Sequence, residues 1–597
     1  MKGVNGQILE INLSTGTIIK KSIPDQYYEL FLGGRGLGIK LLQDYLPHPE
    51  IDAMSEANPL IFMPGLFCGY PIPSSSRTTM ITKSPITSPK NGNSKFASTI
   101  SYSNMGGFIG AEIKYAGYDG IVFIGKSTKP VYLFVENGEA ELRDASKFWG
   151  MGTNEFDQAI IREVGDRRFE SAYIGPGAEN GVMFGSVINT GARAAGRGGT
   201  GCVMGSKKLK AIVVRGDKTP EVDNHKQYLQ LLEMARLTFG ADSEAKQRWR
   251  YGGTANALQF SSDRGSQAVK NYSEGTFAGI ENINADAARK QVWNRDFACY
   301  SCHLACKKSG FAKGAYGGAV NEGVEYETGT MLGANLLIDN LNGLNKLVET
   351  ADDYGIDIIS VGNVIGFLME CYEKKLIDIG FLDGIDLKWG NVDAAMAMIH
   401  KIGNMDGIGN HASKGVKYLS EFIGQGSGDF AIHVKGHELA AWNVQGYAKS
   451  YGISYTTANR GACHMTGGEV SGQNNAALRD TLGACSFASS FYKEELHYRH
   501  FVEALTGIQL TEDAFMQTGE RIFNLERILN CRDGFRREDD VLPERFFKDA
   551  YTSGPQQGKI LDRTEFKEIM DDYYSMRGWN VITGIPEEEK LKTLRLI

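Results

Sequence analysis

Phe297-Ala298-Cys299-Tyr300-Ser301-Cys302-His303-Leu304-Ala305-Cys306 sets three thiols in a C-x2-C-x3-C run near the middle of the chain. Read as helix, positions i, i+3 and i+7 turn one face toward a metal. An iron–sulfur cluster held by four thiolates needs one more ligand from elsewhere, or leaves one iron open. Taken alone, the run also fits a zinc site, with His303 beside it, or buried core cysteines. Radical-type cluster enzymes use the reverse order of spacings, so that class is disfavoured.

The run sits in a chain of 597 residues, long enough for roughly three or four domains with substantial cores. Lys and Arg total 64 against 71 Asp and Glu, a net charge of −7, which gives no electrostatic ground for nucleic acid or an anionic membrane as partner. Nine irregularly spaced cysteines make no disulfide framework. Three clustered thiols point instead to metal in a reducing compartment, so a cytoplasmic protein is expected. The first residues lack the apolar core of a secretory signal, and no stretch reaches the ~20 apolar residues of a membrane helix. A soluble protein without membrane insertion is expected.

Residues 6–23 alternate apolar and polar around Ser14-Thr15-Gly16 and read as a hairpin. Further strand-like runs lie at residues 60–63, 78–82, 120–124, 131–135, 171–174 and 211–214. Residues 215–221 read as a linker, after which helical periodicity takes over from His225 and continues through the cysteine run. A second Gly-rich linker covers residues 424–429. The expected fold class is α+β: a β-rich cofactor-base domain over residues 1–216, then two mainly α-helical domains over 217–428 and 429–597.

Gly33-Gly34-Arg35-Gly36-Leu37-Gly38 has the wrong glycine spacing for a dinucleotide fingerprint and follows residues that look helical. The run Gly191-Ala192-Arg193-Ala194-Ala195-Gly196-Arg197-Gly198-Gly199-Thr200-Gly201 is no nucleotide P-loop, because no Gly-Lys-Ser/Thr follows at the required offset. Its two arginines either bind phosphate, with glycine admitting backbone N–H groups, or sit solvated in a turn-rich bulge. Glu322, Glu325 and Glu327 crowd beside an apolar segment. A charge run is usually a solvated face, yet a glutamate near a cluster is a candidate for proton transfer if burial raises its pKa.

Asp352-Asp353-Tyr354-Gly355-Ile356-Asp357 reads as a helix junction. Gly355 suits the left-handed position after a helix starting near residue 339, and Asp357 suits the cap of the next, over 361–374. Asp480-Thr481-Leu482-Gly483-Ala484-Cys485 repeats this grammar with cysteine last. The repeat suggests internal pseudo-symmetry and makes Cys485 the natural fourth cluster ligand. Cys68, Cys202, Cys371, Cys463 and Cys531 read as small buried residues. His464, in a Gly- and Tyr-rich stretch, is either a hydrogen-bonded core histidine or a catalyst.

Together with Asn12-Leu13-Ser14-Thr15-Gly16, Lys83-Ser84-Pro85, Ala116-Gly117-Tyr118-Asp119, Ile174-Gly175-Pro176-Gly177-Ala178-Glu179-Asn180 and Met204-Gly205-Ser206-Lys207, these motifs resemble the aldehyde ferredoxin oxidoreductase family over essentially the whole chain. The resemblance implies tungsten, or less often molybdenum, on two pterins. It implies a 4Fe-4S cluster on Cys299, Cys302, Cys306 and Cys485. Asp352, Asp357 and Asp480, with Gly483 in the second motif, match residues that hold the pterins. Arg77 and Arg193 match arginines around the cofactor, and Arg197 is a candidate with them. Asn104 and Ala194 match positions whose backbone carbonyls hold Mg2+ between pterin phosphates. Glu327 matches the glutamate near the metal and is the expected general base, with Glu325 as fallback and His464 as a further catalytic candidate. Several aldehyde-oxidising members carry a histidine aligned with residues 443–446, and this chain has none there.

The activity so implied is oxidation of an aldehyde to a carboxylic acid, with electrons leaving through the cluster to ferredoxin or a small iron–sulfur partner; a homodimer is left open. Two rivals stand beside it. One is the catalytic subunit of a low-potential reductase acting on an aromatic thioester or similar acceptor. The other is a non-catalytic iron–sulfur electron-transfer protein.

Overall fold

The run Leu60-Ile61-Phe62-Met63 explains how the N-terminal part is built. Leu60 and Phe62 enter one apolar core while Ile61 and Met63 enter another, so a strand buried on both faces reads as an unbroken apolar run. The computed structural model describes residues 1–597 apart from Gly92, Asn93, Gly191, Ala192, Asp242 and Gly446. One sheet holds β1 (Gln7–Asn12), β2 (Thr17–Ser22), β3 (Leu60–Pro64), β4 (Thr78–Lys83), β5 (Ile100–Met105) and β6 (Gly120–Ile124), in the order β2-β1-β6-β3-β4-β5. A second holds β7 (Val131–Glu136), β8 (Glu139–Asp144), β9 (Glu170–Tyr173), β10 (Val187–Asn189), β11 (Arg193–Ala195) and β12 (Leu209–Arg215), in the order β11-β10-β9-β12-β7-β8. The expected hairpin is β1–β2, with Gln7 opposite Ser22.

Leu9, Phe62, Phe123, Leu133, Ile212 and Val214 share the core between the two sheets. The edge strands β5 and β11 lie side by side. Ser101 Oγ donates to the Gly198 carbonyl at 3.2 Å, and Arg197 N–H donates to Ser103 Oγ at 3.2 Å. The chain after β12 is mainly helical, as expected of the α+β class. Among the described residues no helix is long and apolar enough to cross a membrane.

The cysteine run departs from the helical expectation. β13 (Trp293–Phe297) and β14 (Lys307–Ala312) pair antiparallel with Phe297 opposite Lys307, and β15 (Gly318–Val320) completes a small sheet, so residues 298–306 form the loop between two strands. Ser301 and Ala305 adopt φ of 50° and 47°, left-handed values that a right-handed helix does not accommodate.

Both Asp-x-x-Gly motifs are helix junctions. The helix Leu341–Tyr354 ends on Gly355 at φ 66°, and Asp357 caps the helix Ile358–Glu373 by accepting from Ile359 N–H. The helix Val470–Leu482 ends on Gly483 at φ 78°. Each junction is stitched to the sheets through backbone. Ser186 N–H donates to the Gly355 carbonyl at 2.8 Å and Asp357 N–H to the Phe184 carbonyl at 2.9 Å. In the second motif, Leu66 N–H donates to the Thr481 carbonyl at 3.1 Å, Phe67 N–H to Leu482 at 3.0 Å and Arg77 N–H to Gly483 at 2.9 Å. A Cβ on Gly65 would stand 2.1 Å from Gly483 N, so the two backbones meet only because Gly65 has no side chain. Arg35, from the glycine run at 33–38, grips Glu526 with Nε at 2.7 Å and Nη2 at 2.8 Å and reaches Asp480 with Nη1 at 3.2 Å. That run therefore packs against the second junction.

Candidate active site

Ser74 pins the mid-chain cysteines to the late one. Its N–H donates to the Ser301 carbonyl at 2.8 Å, its carbonyl accepts from Cys485 N–H at 2.9 Å, and its hydroxyl lies 3.4 Å from Cys302 Sγ. Cys299, Cys302, Cys306 and Cys485 line one cavity of about 270 Å³ with Arg77, Arg193, Ala194, Arg197, Glu322, Glu325, Glu327, Asp352 and Asp357. The cavity thus lies where the cysteine loop, both junctions and the sheet edges meet. Among the described residues no three His, Cys, Asp or Glu side chains converge as a single metal ion would require. A cubane spreads its thiolates over four irons, so its ligands need not converge on a point.

Arg77 Nη2 lies 3.5 Å from Cys485 Sγ, and a Cβ on Gly106 would touch both Cys299 Sγ and Arg77 Nη1. Burial raises the Cys299 thiol, but Arg193 and Arg77 together with hydrogen bonds from Gly107 and Ser76 bring it below its ordinary value. Burial dominates at Cys302, which is raised, and at Cys306, which is pushed up to about 12. Arg193 spans two cavities, pairs with Glu322 at 3.3 Å and Glu325 at 3.5 Å, and keeps a buried Nη2 with no hydrogen-bond partner among the described residues.

Glu327 and Glu325 are placed differently. Glu325 caps the helix Tyr326–Met331 in a capping box with Thr328 and faces Arg193, so its oxygens have structural partners. Glu327 Oε2 accepts from Ala441 N–H at 2.8 Å, while Oε1 has no hydrogen-bond partner among the described residues and stands 3.5 Å from His464 Nε2. Burial raises Glu327 to about 7, against the pull of Ala441 N–H and Arg197. Burial, with Arg197 and Arg460, lowers His464 to about 3, so its imidazole is neutral at physiological pH.

Asp352 and Asp357 both face the cavity. Burial, then Glu322 and Glu349, holds Asp352 well above the usual carboxylate range. Asp357 is bound by Arg197 Nε at 3.2 Å, and the same guanidinium reaches the carbonyls of Ala462 at 2.8 Å and Glu438 at 2.6 Å. Asn104, Asp480 and Gly483 stand behind this lining. Asn104 Oδ1 accepts from Thr79 Oγ1 at 2.6 Å, and Asp480 lies against Arg35. Of the other cysteines, Cys68, Cys202, Cys371 and Cys463 are buried as expected, but Cys531 is only half-buried. Gly191 and Ala192 of the glycine–arginine run, and Gly446 of the histidine-free stretch, lie outside the described residues. Ser74, Ser360 and Glu438 were not singled out from sequence, because a lone Ser or Glu carries no spacing signal.

The family model for the N-terminal domain of aldehyde ferredoxin oxidoreductase matches residues 8–216, and that for its domains 2 and 3 matches residues 230–596. The chain belongs to the aldehyde ferredoxin oxidoreductase family. It is therefore an enzyme of an oxidoreductase family. Within that family it is 35% identical to a tungsten-containing aldehyde ferredoxin oxidoreductase of Pyrococcus abyssi, over 100% of this chain and 99% of that one. It is 31% identical to an aliphatic sulfonate oxidoreductase, WOR-like subunit, of Pyrococcus furiosus, over 100% and 97%. A solved structure, the active site complex BamBC of benzoyl coenzyme A reductase with 1,5-dienoyl-CoA, matches with a TM-score of 0.84 at 26% identity, covering 100% of this chain and 97% of that one. Family membership sets aside the reading as a non-catalytic electron-transfer protein.

Proposed function

We propose that this protein is a tungsten bis-pterin oxidoreductase that oxidises an aldehyde to a carboxylic acid and passes the electrons through a 4Fe-4S cluster to ferredoxin or a small iron–sulfur partner in the cytoplasm. The observation that carries this reading is the contact between Glu327 and His464, a carboxyl raised to about 7 beside a neutral imidazole, with Glu327 itself on the wall of a cavity lined by four thiols. The residues fit the groups. Four cysteines are the donor set of a cubane cluster. The unpartnered Arg193 Nη2 suits an anionic group, and the high pKa of Asp352 suits a carboxyl poised between a proton and the N–H edge of a pterin. The carbonyls of Asn104 and Ala194 are the proposed Mg2+ ligands, oxygen donors such as that ion prefers.

Aldehyde and water give acid, two protons and two electrons. Bound beside these residues, a metal on its pterins would supply the two-electron change and a cluster on the four cysteines would relay the electrons singly. The chain's own residues handle water and protons. Glu327 Oε1 takes a proton from the water that adds to the carbonyl, Oε2 is held in place by Ala441 N–H, and neutral His464 orients the reacting oxygen through Nε2. Arg197 fixes Asp357, which lines the same cavity.

A second reading, reduction of a thioester or similar acceptor, is favoured by the fold likeness to the benzoyl coenzyme A reductase complex and by the histidine-free stretch Asn443-Val444-Gln445. A chamber of about 1090 Å³ meets the smaller cavity at Arg193, Cys299 and Asp352 and offers room for a large substrate. Aldehyde-dependent viologen reduction by protein produced with tungstate separates the two. Turnover of simple aldehydes is the expected result; its absence in protein that holds both metal and iron overturns the first reading.

A further inference from the structure

Behind the Arg197 wall, three side chains form a line that the proposed reaction leaves unused. Ser360 Oγ lies 2.9 Å from Asp357 Oδ2 and 2.8 Å from Glu438 Oε2. A hydroxyl has one proton and can donate it to one carboxylate. A second contact this short needs the other carboxyl to donate in turn. The surroundings decide which acid that is. Asp357 receives Ile359 N–H on Oδ1 at 3.0 Å and the Arg197 guanidinium on Oδ2, partners that favour a carboxylate. Glu438 is fully buried, and apart from Ser360 its carboxyl receives only backbone donors, Val416 N–H at 2.9 Å and its own N–H, with no cation on it among the described residues.

The other charged or titratable groups near Glu438 leave it uncompensated. Arg197 gives Nη2 to the Glu438 backbone carbonyl, not to the side chain. His433, opposite Glu438 in a two-residue strand pair, is lowered to about 3 by burial and stays neutral. Lys417, one residue beyond Val416, donates to Ser88 and Pro89. Burial accordingly raises Glu438 to about 7, opposed by Val416 N–H, Ser360, its own backbone N–H and Arg197.

We propose that Glu438 is a positioning residue that holds a proton in common with Asp357 through the Ser360 hydroxyl, giving the cavity wall a reserve proton. Transfer is balanced: Glu438 gives its proton to Ser360 Oγ as Ser360 gives its own to Asp357, leaving a Glu438 carboxylate and a neutral Asp357. Asp357, which gains the proton, lines the same cavity as Glu327, and Ala441, three residues after Glu438, gives its N–H to Glu327. The reserve role rests on the oxidoreductase reading above, whereas the shared proton does not.

Infrared difference spectra of wild type against Glu438→Gln, on protein produced without tungsten and held below neutral pH, test the sharing directly. A protonated-carboxyl C=O band is expected in wild type, lost in the variant, and titrating away as pH rises through about 7. Ser360→Ala is expected to move that midpoint by about one pH unit, and Ser360→Thr, which keeps the hydroxyl, to restore it. Identical spectra for wild type and Glu438→Gln, or a midpoint indifferent to Ser360→Ala, overturn the proposal whatever the enzyme turns over. In active holoenzyme, Glu438→Gln is expected to alter the pH profile of kcat with KM unchanged; an unaltered profile removes the reserve role and leaves the shared proton standing.

Discussion

Glu327 Oε1 faces His464 Nε2 across 3.5 Å, and the same burial tunes the two groups in opposite directions, the carboxyl up to about 7 and the imidazole down to about 3. Below neutrality the pair's proton rests on Glu327; above it, on neither. A base is therefore available on the alkaline side only.

It follows that kcat for the proposed aldehyde oxidation should rise with pH through about 7, with no inflection from His464 in the same range. Glu327→Gln should keep metal and iron while losing a factor on the order of 10² to 10⁴ in kcat, the usual share of a general base. Steady-state rates alongside metal analysis check this, and full activity in the variant would remove Glu327 from the mechanism.

Cys302 and Cys485 come from distant parts of the chain and meet at Ser74. Cys302→Ala and Cys485→Ala should each abolish the visible absorbance of a reconstituted cluster and lower iron content, whereas Cys371→Ala, buried in the helical core, should not. An unchanged spectrum in Cys485→Ala would leave the mid-chain run without its fourth ligand.

Arg77 presents positive charge to Cys485 and Cys299. Reduction adds negative charge to a cluster, so this guanidinium would stabilise the reduced form of the proposed one. Arg77→Gln should lower the cluster midpoint potential by an amount on the order of 60 mV, a tenfold change in a one-electron equilibrium. An EPR-monitored redox titration reads the shift, and a rise in potential contradicts the assignment.

Glu322 and Glu327 carry folded pKa values of about 7, raised by burial above the ordinary 4.5. For a carboxyl with a raised pKa, the folded state binds the proton more tightly. Its stabilisation is complete below the ordinary value and is lost as pH rises through about 7. The melting temperature of cofactor-free protein should therefore fall as pH rises from about 4.5 to about 7, each group contributing on the order of 3 kcal/mol at most. The double variant with Gln at both positions should show a flatter profile.

Gly65→Ala should cost about 1–3 kcal/mol, because the new methyl would meet Gly483 backbone that cannot step aside. Thermal unfolding measures the loss, and iron uptake should fall with it, since Gly483 leads directly into Cys485.

Much of the β-rich part was legible because strands buried on both faces are written as apolar runs, as in β3 and β12. β5 was not, since Ser101, Ser103 and Asn104 break the run while serving the contact with the glycine–arginine stretch. β8 was hidden by its charged, exposed composition. The helix junctions at Gly355 and Gly483 follow local rules of capping and could be read residue by residue. The cysteine run could not, because helix and strand-to-strand loop both bring the thiols to one side, and the choice fell to the pairing of Phe297 with Lys307. Contacts such as Arg197 with Asp357, or Ser360 with Glu438, join segments with no local sign of one another.

The stitching of Cys485 to Ser74 completes the smaller cavity with a segment that follows Arg77 by 408 residues. During synthesis the sheets emerge long before their lid, and the pocket stays an open trough until the last quarter of the polypeptide arrives. Assembly order is thereby built into the connectivity: the set of four thiols is complete only when the polypeptide has reached Cys485.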